Sequence, residues 1–527
     1  MIWTVFLSCE THPIEETQFE APTDPLPSTR LLRRISLDLT GSLPSLEDYA
    51  TVQSDPTMID ELTEQYLDTE AFETRVMFWM ADIWHTRVDE FDIVTDDFDL
   101  DSEEWWYKFN RSVGEEPLRL MAHIAANDYP WSAIVTANYT MANPLLGDIF
   151  PIDYPENGSG WKPAQYTDGR PPVGVLATNG LWWRYPTDSF NKNRTRAAAI
   201  TRLLLCDDYL LRPVIFEASP QVLENTDLAL QTDPACLTCH ASLDPLAASM
   251  FGFWWIEQFN PLEATYYHPE REGMGADQLS TTPAWFGQTV TSFAEVGQHI
   301  ANDPRFRQCA VKQFTQSLLN RPMDSTDYEM LEILQDRFET NLLQIKPLVA
   351  LITQTPEYRS ASPIDQHADI RTVHLLTPDL LRSSVKDLTN YDWLSFEDPY
   401  LDYQFRAMAG GADGFQTFSP QLYPSLTTSL VAKRLAQRAS TVLISNKLQG
   451  DGKGLFEGIT IATMPSDPAF QKKLKDLRLL LHGYEADDDW LGSISTLWQE
   501  AYLIGGPDLA WETVISAMLQ DIDYMGY

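Results

Sequence analysis

The segment from Cys236 to His240, which reads Cys-Leu-Thr-Cys-His, is the strongest constraint on what this chain can fold into. Two thiols separated by two residues can add to the two vinyl groups of one porphyrin, and the adjacent imidazole then reaches the iron. A chain with such a group must fold around it. The spacing therefore predicts one covalent haem c held by Cys236 and Cys239, with His240 as the proximal iron ligand.

Two other kinds of site use a Cys-x-x-Cys pair. A redox-active dithiol is typical of a thioredoxin-like strand–helix junction, and a structural zinc site needs a second pair of ligands. The sequence before Cys236 lacks the first pattern, and no second Cys-x-x-Cys pair is present in the chain. Haem attachment is therefore the favoured interpretation.

The chain is strongly acidic. It has 37 Lys and Arg against 76 Asp and Glu, which gives a formal net charge of −39. Such a surface repels nucleic acid and anionic lipid and favours a partner with a basic docking surface, although a saline habitat explains the same composition equally well. No stretch reaches the roughly 18–20 apolar residues that span a bilayer. The sequence thus predicts contact with a membrane only through a lipid anchor.

The N-terminal segment resembles a bacterial lipoprotein signal. Phe6-Leu7-Ser8-Cys9 has the form of a lipoprotein cleavage box, and residues 10–27 are acidic and rich in proline, as in a flexible tether. The alternative is an ordinary frayed terminus with a buried cysteine. We expect Cys9 to be lipidated and the protein to be exported to the periplasm or cell surface, because c-type haem is attached outside the cytoplasm.

Two further cysteines remain after these assignments. Cys206 and Cys309 flank the haem motif and lie at or near predicted helices over residues 197–205 and 306–318. In an oxidising compartment such a pair is expected to form a disulfide, which closes a loop of about a hundred residues. Two buried free thiols are the alternative.

Apolar residues recur at helical spacing through most of the chain. Leu31, Leu32, Ile35 and Leu39 share one helix face that ends at Gly41, and many later segments show the same period. The fold class is therefore predicted to be mainly α, with multi-helix domains and a central haem-binding segment inside long irregular loops. The predicted divisions are a signal and tether (1–27), an N-terminal helical domain (28–143), a haem-binding domain (144–360) and a C-terminal helical domain (361–527).

The second axial ligand of the iron decides much of the chemistry. Methionine or histidine would give a six-coordinate electron carrier, whereas an open position would permit ligand binding or peroxidase-type reactions. Met274 is the predicted distal ligand, and Met250 and His268 are alternatives. The Asp244-Pro245 pair is expected to end the attachment segment with a rigid turn.

An acidic run from Asp96 to Glu104 has alternating carboxylates that could bind Ca²⁺. It lacks the glycine at position six and the glutamate at position twelve of an EF-hand loop. A solvated acidic loop is the alternative interpretation.

Several segments resemble one family. They are residues 31–44, residues 117–131 with 135–141, the haem block from Cys236 to Pro245, and residues 306–314 with 320–322. Together they span roughly residues 28–360 and are similar to the large exported cytochrome-c-like proteins of planctomycetes and myxobacteria, whose function is unknown. The resemblance implies an exported haem-c protein and supplies no reaction.

Three functions fit these observations. The first is an envelope-anchored protein with one haem that exchanges electrons with a redox partner. The second is a haem-dependent oxidoreductase. The third is an assembly module in which the haem stabilises a small domain and large helical surfaces bind proteins or glycans. The haem motif favours electron transfer, and the length of 527 residues keeps the third function under consideration.

Overall fold

The computed structural model describes residues 19–87, 98, 100, 103–213, 226–253, 265–361, 373–392, 405–412, 417–448, 455–456 and 458–527. Helices account for 65% of the structure and strands for 4%, so the prediction of a mainly α fold is confirmed. None of the helices in these ranges is long and apolar enough to cross a membrane.

The first part of the chain forms helices α1 (Ser28–Thr40), α2 (Leu46–Ser54), α3 (Met58–Leu67), α4 (Glu70–Trp84), α5 (Glu103–Ala126), α6 (Pro144–Ile149), α7 (Asn179–Arg184) and α8 (Arg194–Leu205). The middle part forms α9 (Thr226–Thr232), α10 (Pro234–Ala248), α11 (Met274–Leu279), α12 (Phe293–Asn302), α13 (Pro304–Leu319), α14 (Tyr328–Thr340), α15 (Ile345–Ile352) and α16 (Pro356–Arg359). The last part forms α17 (Pro378–Thr389), α18 (Phe405–Met408), α19 (Leu426–Leu448), α20 (Pro468–His482), α21 (Asp488–Gln520, with non-helical backbone at Gly505 and Gly506) and α22 (Ile522–Met525).

Local signals in the sequence set the ends of the first two helices. Helix α1 stops before Gly41, which adopts the left-handed conformation (φ 72°) and donates its N–H to the Leu37 carbonyl. Helix α2 starts after Ser45, whose side chain accepts from the Asp48 N–H while the Asp48 carboxylate accepts from the Ser45 N–H. The end of α1 agrees with the sequence prediction.

Short strands lie between the helices. Strands β1 (Thr140–Ala142), β2 (Ile152–Asp153) and β3 (Lys162–Tyr166) form an antiparallel sheet in the order β1-β3-β2. Thr140 pairs with Ala164, and Ile152 pairs with Tyr166. A second hairpin joins β4 (Ala284–Trp285) to β5 (Gln288–Thr289). These strands are too short to give a clear alternating pattern in the sequence.

Buried apolar side chains form two large clusters. The first runs from Leu31 to Tyr358 and includes residues from helices α1 to α5, α8, α10 and α13 to α15. The second consists of Leu37 and of residues from Leu376 to Tyr527. A small third cluster packs under the three-stranded sheet. Helix α1 contributes to both large clusters. The domain limits predicted from the sequence stay predictions.

The polar face of helix α1 is buried between these clusters. Arg33 is fully buried and donates to the main-chain oxygens of Leu481 (3.0 Å) and Tyr524 (2.9 Å). Arg34 donates to the Tyr358 oxygen at 2.7 Å. Burial lowers the pKa of Arg33 to about 10. Because an unpaired buried charge is very costly, these bonds hold the C-terminal helices against α1.

A disulfide joins Cys206, directly after helix α8, to Cys309 in helix α13, with their Cα atoms 5.3 Å apart. The predicted pairing is therefore present in the structure. The two helices also meet through Gln313, whose amide donates to the Leu203 oxygen at 2.8 Å. The disulfide consequently fixes the end of helix α8 against helix α13.

Replacing both Cys206 and Cys309 with serine should lower the free energy of unfolding by about 2–5 kcal/mol, because the unfolded chain gains the entropy of an open loop. Denaturant unfolding of the haem-free protein without reductant measures this loss. The matched control replaces Cys236 and Cys239 with serine and should cost less. Equal unfolding midpoints for wild type and the C206S/C309S variant would contradict the prediction.

A second prediction concerns the buried Glu116 of helix α5. Its Oε1 accepts from Thr140 and Tyr166, both at 2.8 Å, and burial raises its pKa to about 7. Between pH 4.5 and 7, Glu116 is therefore protonated in the folded state and ionised in the unfolded state. Its contribution to the free energy of unfolding falls as the pH rises through that window. Glu116→Gln removes the titration.

We expect the free energy of unfolding of E116Q, minus that of wild type, to increase as the pH rises from about 4.5 to 7. The difference isolates Glu116 from other groups, because the buried histidines His85 and His482 titrate in both proteins. Replacing the exposed Glu329 with glutamine is the control and should give a flat difference. A flat profile for E116Q would refute the assignment.

Candidate haem-binding site

The haem motif occupies the first turns of helix α10. Asp233 is the N-cap, and its side chain accepts from the Ala235 N–H at 2.8 Å, while Pro234 takes the first helical position. Residues three and four apart lie on the same helix face. Cys236, Cys239 and His240 therefore point to one side of the helix.

The helix continues further than the sequence predicted. Asp244-Pro245 does not end it with a turn, because α10 runs through Pro245 to Ala248. Leu246, Ala247 and Ala248 are almost completely buried in the first cluster. Tertiary packing of this last turn outweighs the local cost of a proline in the helix. The motif itself thus lies on a helix and not within a loop.

The two thiols of the motif differ in environment. Both are free; Cys236 is buried and Cys239 is half-buried. The Cys239 Sγ atom lies 3.9 Å from the Tyr209 main-chain oxygen. Burial, with a contribution from the Asp233 charge, raises the pKa of Cys236 above its ordinary value. This does not favour a redox dithiol, whose attacking thiol needs a lowered pKa, and helix α9 instead of a strand precedes the motif.

His240 is held by a carboxylate one turn further along the helix. Its Nδ1 atom lies 2.8 Å from Asp244 Oδ1, and one fifth of its side chain is exposed. Within the described part of the chain, Nε2 has no hydrogen-bond partner. Hydrogen bonding of one ring nitrogen to a carboxylate is the usual arrangement for a histidine that binds a metal through the other.

Arg194, the first residue of helix α8, completes this arrangement. Its Nε and Nη2 atoms contact Asp244 Oδ1 and Oδ2 at 2.8 and 2.9 Å. Asp244 is almost buried, and although burial acts to raise its pKa, the hydrogen bonds from His240 and Arg194 lower it. The site therefore contains a chain of three side chains in the order Arg194, Asp244, His240.

A short segment packs along the side of the motif. Tyr209 forms a hydrogen bond with Ser242 at 2.8 Å, and Arg212 donates to the Thr238 oxygen at 3.0 Å. Between them, Leu210 and Leu211 are 88% and 82% exposed. Two adjacent leucines beside the thiol-bearing helix thus leave apolar surface open to solvent.

The three proposed distal ligands have surroundings of their own. Met274 begins helix α11, and its neighbour Gly275 packs against Ala248, where a Cβ atom would lie 2.0 Å from the Ala248 oxygen. Eight residues of helix separate Ala248 from His240, or about 12 Å along the axis. Met250 is fully buried, and His268 contacts Glu270. Among the described residues, His240 forms no hydrogen bond with any of the three, and distal ligation by Met274 stays a prediction.

Other predicted features lie wholly or mainly outside the described residues. Cys9 is among them, and the side chains of the acidic run from Asp96 to Glu104 are undescribed except for Phe98 and Leu100. Lipidation and Ca²⁺ binding therefore stay predictions. Among the residues that the structure describes, no group of three or more His, Cys, Asp or Glu could hold a metal ion.

Sequence reasoning missed the two residues that support His240. The spacing of His240 and Asp244, four apart on one helix, was a usable signal for the first contact. Arg194 lies 50 positions before Asp244, and no local pattern connects them. Likewise, nothing in the sequence indicated that Tyr209 would lie beside Cys239.

Comparisons with protein-family models, curated proteins and solved structures find no match to this chain.

In the haem-free protein we expect Cys239 to react faster than Cys236 with a thiol-alkylating reagent, because Cys236 is more buried and burial raises the pKa of its thiol. Peptide mass spectrometry after timed alkylation at neutral pH measures both rates. Cys206 and Cys309 are internal controls and should react only after reduction. Faster modification of Cys236 would contradict the geometry described above.

Proposed function

We propose that this chain is an exported, lipid-anchored protein that carries one covalent haem c and acts in electron transfer. One observation carries the proposal: Cys236, Cys239 and His240 lie on one face of helix α10, both thiols are free, and no described residue forms a hydrogen bond with His240 Nε2. This donor set has the chemistry that a c-type haem requires.

Each residue of the set has a distinct role. Cys236 and Cys239 would form the two thioether bonds, which keep the cofactor from being lost outside the cytoplasm. His240 would bind through Nε2, because Nδ1 is engaged by Asp244. A haem held there supplies a one-electron couple at its iron. The exposed side chains of Leu210 and Leu211 would add apolar surface next to the helix that carries the motif, and an apolar porphyrin needs such surface.

The cysteines support the proposed compartment. The disulfide between Cys206 and Cys309 is typical of proteins in oxidising compartments, which supports export. A lipid on Cys9 would then keep the protein at a bacterial envelope. Membership of the exported cytochrome-c-like family of planctomycetes and myxobacteria is part of the same proposal.

The net charge of −39 favours a redox partner with a basic docking surface. Long-range attraction between opposite charges raises the rate of encounter, and salt screens it within about 10 Å at 0.1 M. Electron transfer to such a partner would therefore slow as the ionic strength rises.

Expression with the c-type haem maturation machinery should give a protein whose mass increases by one haem and whose tryptic peptide containing residues 236–240 carries the group. Cys236→Ala and Cys239→Ala together should abolish covalent attachment, and His240→Ala should abolish a low-spin spectrum. His299→Ala on helix α12 is the matched control and should leave both unchanged. A wild-type protein without covalent haem would overturn the proposal.

A second candidate is an assembly module, and a feature of the C-terminal helices favours it. Leu426 and Leu430 of helix α19 and Ile522 of helix α22 are exposed around a cleft of about 340 Å³. Exposed apolar side chains grouped in this way are typical of protein-binding surfaces. If the chain binds no haem, binding of a partner protein at this surface becomes the favoured function.

A further inference from the structure

We infer that Asp244 and Arg194 are positioning residues that fix the orientation of His240 and set the reduction potential of the haem, the aspartate lowering it and the arginine raising it. This inference rests on the proposed function. It assigns a role to two side chains outside the Cys-x-x-Cys-His motif.

The contact between His240 and Asp244 determines which imidazole nitrogen is available. A carboxylate only accepts hydrogen bonds, so the 2.8 Å contact requires the proton of His240 to be on Nδ1. The lone pair is then on Nε2, the nitrogen that faces away from Asp244. Asp244 thus selects the tautomer that can bind iron.

Arg194 fixes the carboxylate itself. Its two contacts with Asp244, at 2.8 and 2.9 Å, engage both carboxylate oxygens and oppose rotation of the group. Arg194 belongs to helix α8, whose far end is tied to helix α13 by the disulfide at Cys206. The orientation of His240 is therefore set by a second, anchored helix and not by α10 alone.

This arrangement differs from an ordinary surface ion pair. Exposed pairs four apart on a helix contribute little to stability, because water and salt screen the two charges. Here the Asp244 side chain is 8% exposed and is shared between an arginine and a histidine. If His240 binds a metal, a buried carboxylate with this geometry also raises the basicity of the imidazole that serves as the ligand.

The two charges should act on the potential with opposite signs. The negative charge of Asp244 increases the electron density on the imidazole and favours the ferric state. The positive charge of Arg194 draws that density back and favours the ferrous state. Removing one or the other must therefore shift the midpoint potential in opposite directions, which packing changes alone would not do.

The test uses the full chain matured with haem. Asp244→Asn keeps a hydrogen-bond acceptor but removes the charge, and should shift the midpoint potential upwards. Arg194→Gln should shift it downwards. We expect each change to alter the equilibrium constant for reduction about tenfold, or about 59 mV for one electron. Ferric-state electron paramagnetic resonance should show changed g values in both variants.

Two further variants separate positioning from simple loss of charge or of fold. Asp233→Asn removes a negative charge beside the motif without touching His240 and preserves the helix cap, so it should give a smaller upward shift. Arg194→Lys keeps the positive charge but loses the forked contact with the carboxylate. Its midpoint potential should therefore lie between those of R194Q and wild type. If D244N does not fold, the comparison of R194Q with R194K decides the question.

The outcomes distinguish the inference from the function on which it rests. If haem is attached and neither D244N nor R194Q shifts the potential beyond the D233N control, the inference is wrong and the proposed function stands. If the two variants shift it in the same direction, the inference is likewise wrong. A wild-type protein that acquires no covalent haem overturns both.

Discussion

The buried arginines of helix α1 hold the two large hydrophobic clusters of this protein together. Arg33 and Arg34 have lost nearly all contact with water, and their hydrogen bonds go to main-chain oxygens of the C-terminal helices and of Tyr358. A buried guanidinium without partners costs several kcal/mol or more. Separation of the clusters would break these bonds, so α1 couples the part of the chain that contains the Cys-x-x-Cys-His motif to its C-terminal part.

Asp38 extends this coupling on the same helix. Its two carboxylate oxygens accept from the hydroxyls of Tyr358 at 2.7 Å and Tyr527 at 2.6 Å, and burial raises its pKa to about 6. A similar arrangement occurs beside the Cys-x-x-Cys-His motif, where the nearly buried Asp244 accepts hydrogen bonds from Arg194 and His240. In both places, a carboxylate taken out of water joins helices that are distant in sequence.

Local signals predicted much of the fold. The mainly α class, the end of α1 at Gly41 and the cap of α2 at Ser45 depend on neighbours within four residues, which the sequence displays directly. The disulfide between Cys206 and Cys309 followed from elimination among five cysteines. The attachment residues of the candidate site came from a motif of five consecutive positions.

The features that escaped prediction depend on contacts between distant segments. The leucines of α1 suggested one buried face, but the opposite face with Arg33 is buried as well. Proline at position 245 predicted a helix end, and packing of Leu246 to Ala248 overrode it. Arg194 meets Asp244 only because helices α8 and α10 pack together. The hydrophobic periodicity of a single sequence does not indicate which distant segments come into contact.

The acidic composition and the site geometry lead to one physical expectation for the proposed haem. Negative charge near a haem favours the ferric state, because that state carries one more positive charge. Asp233 caps the helix that carries His240, and Asp244 contacts that histidine. Exposed carboxylates more than about 8–10 Å away are largely screened by salt. Arg194 opposes the charge of Asp244 at the same point. The potential would therefore be set mainly by these nearby charges, and the net charge of −39 would govern mainly the approach of a partner.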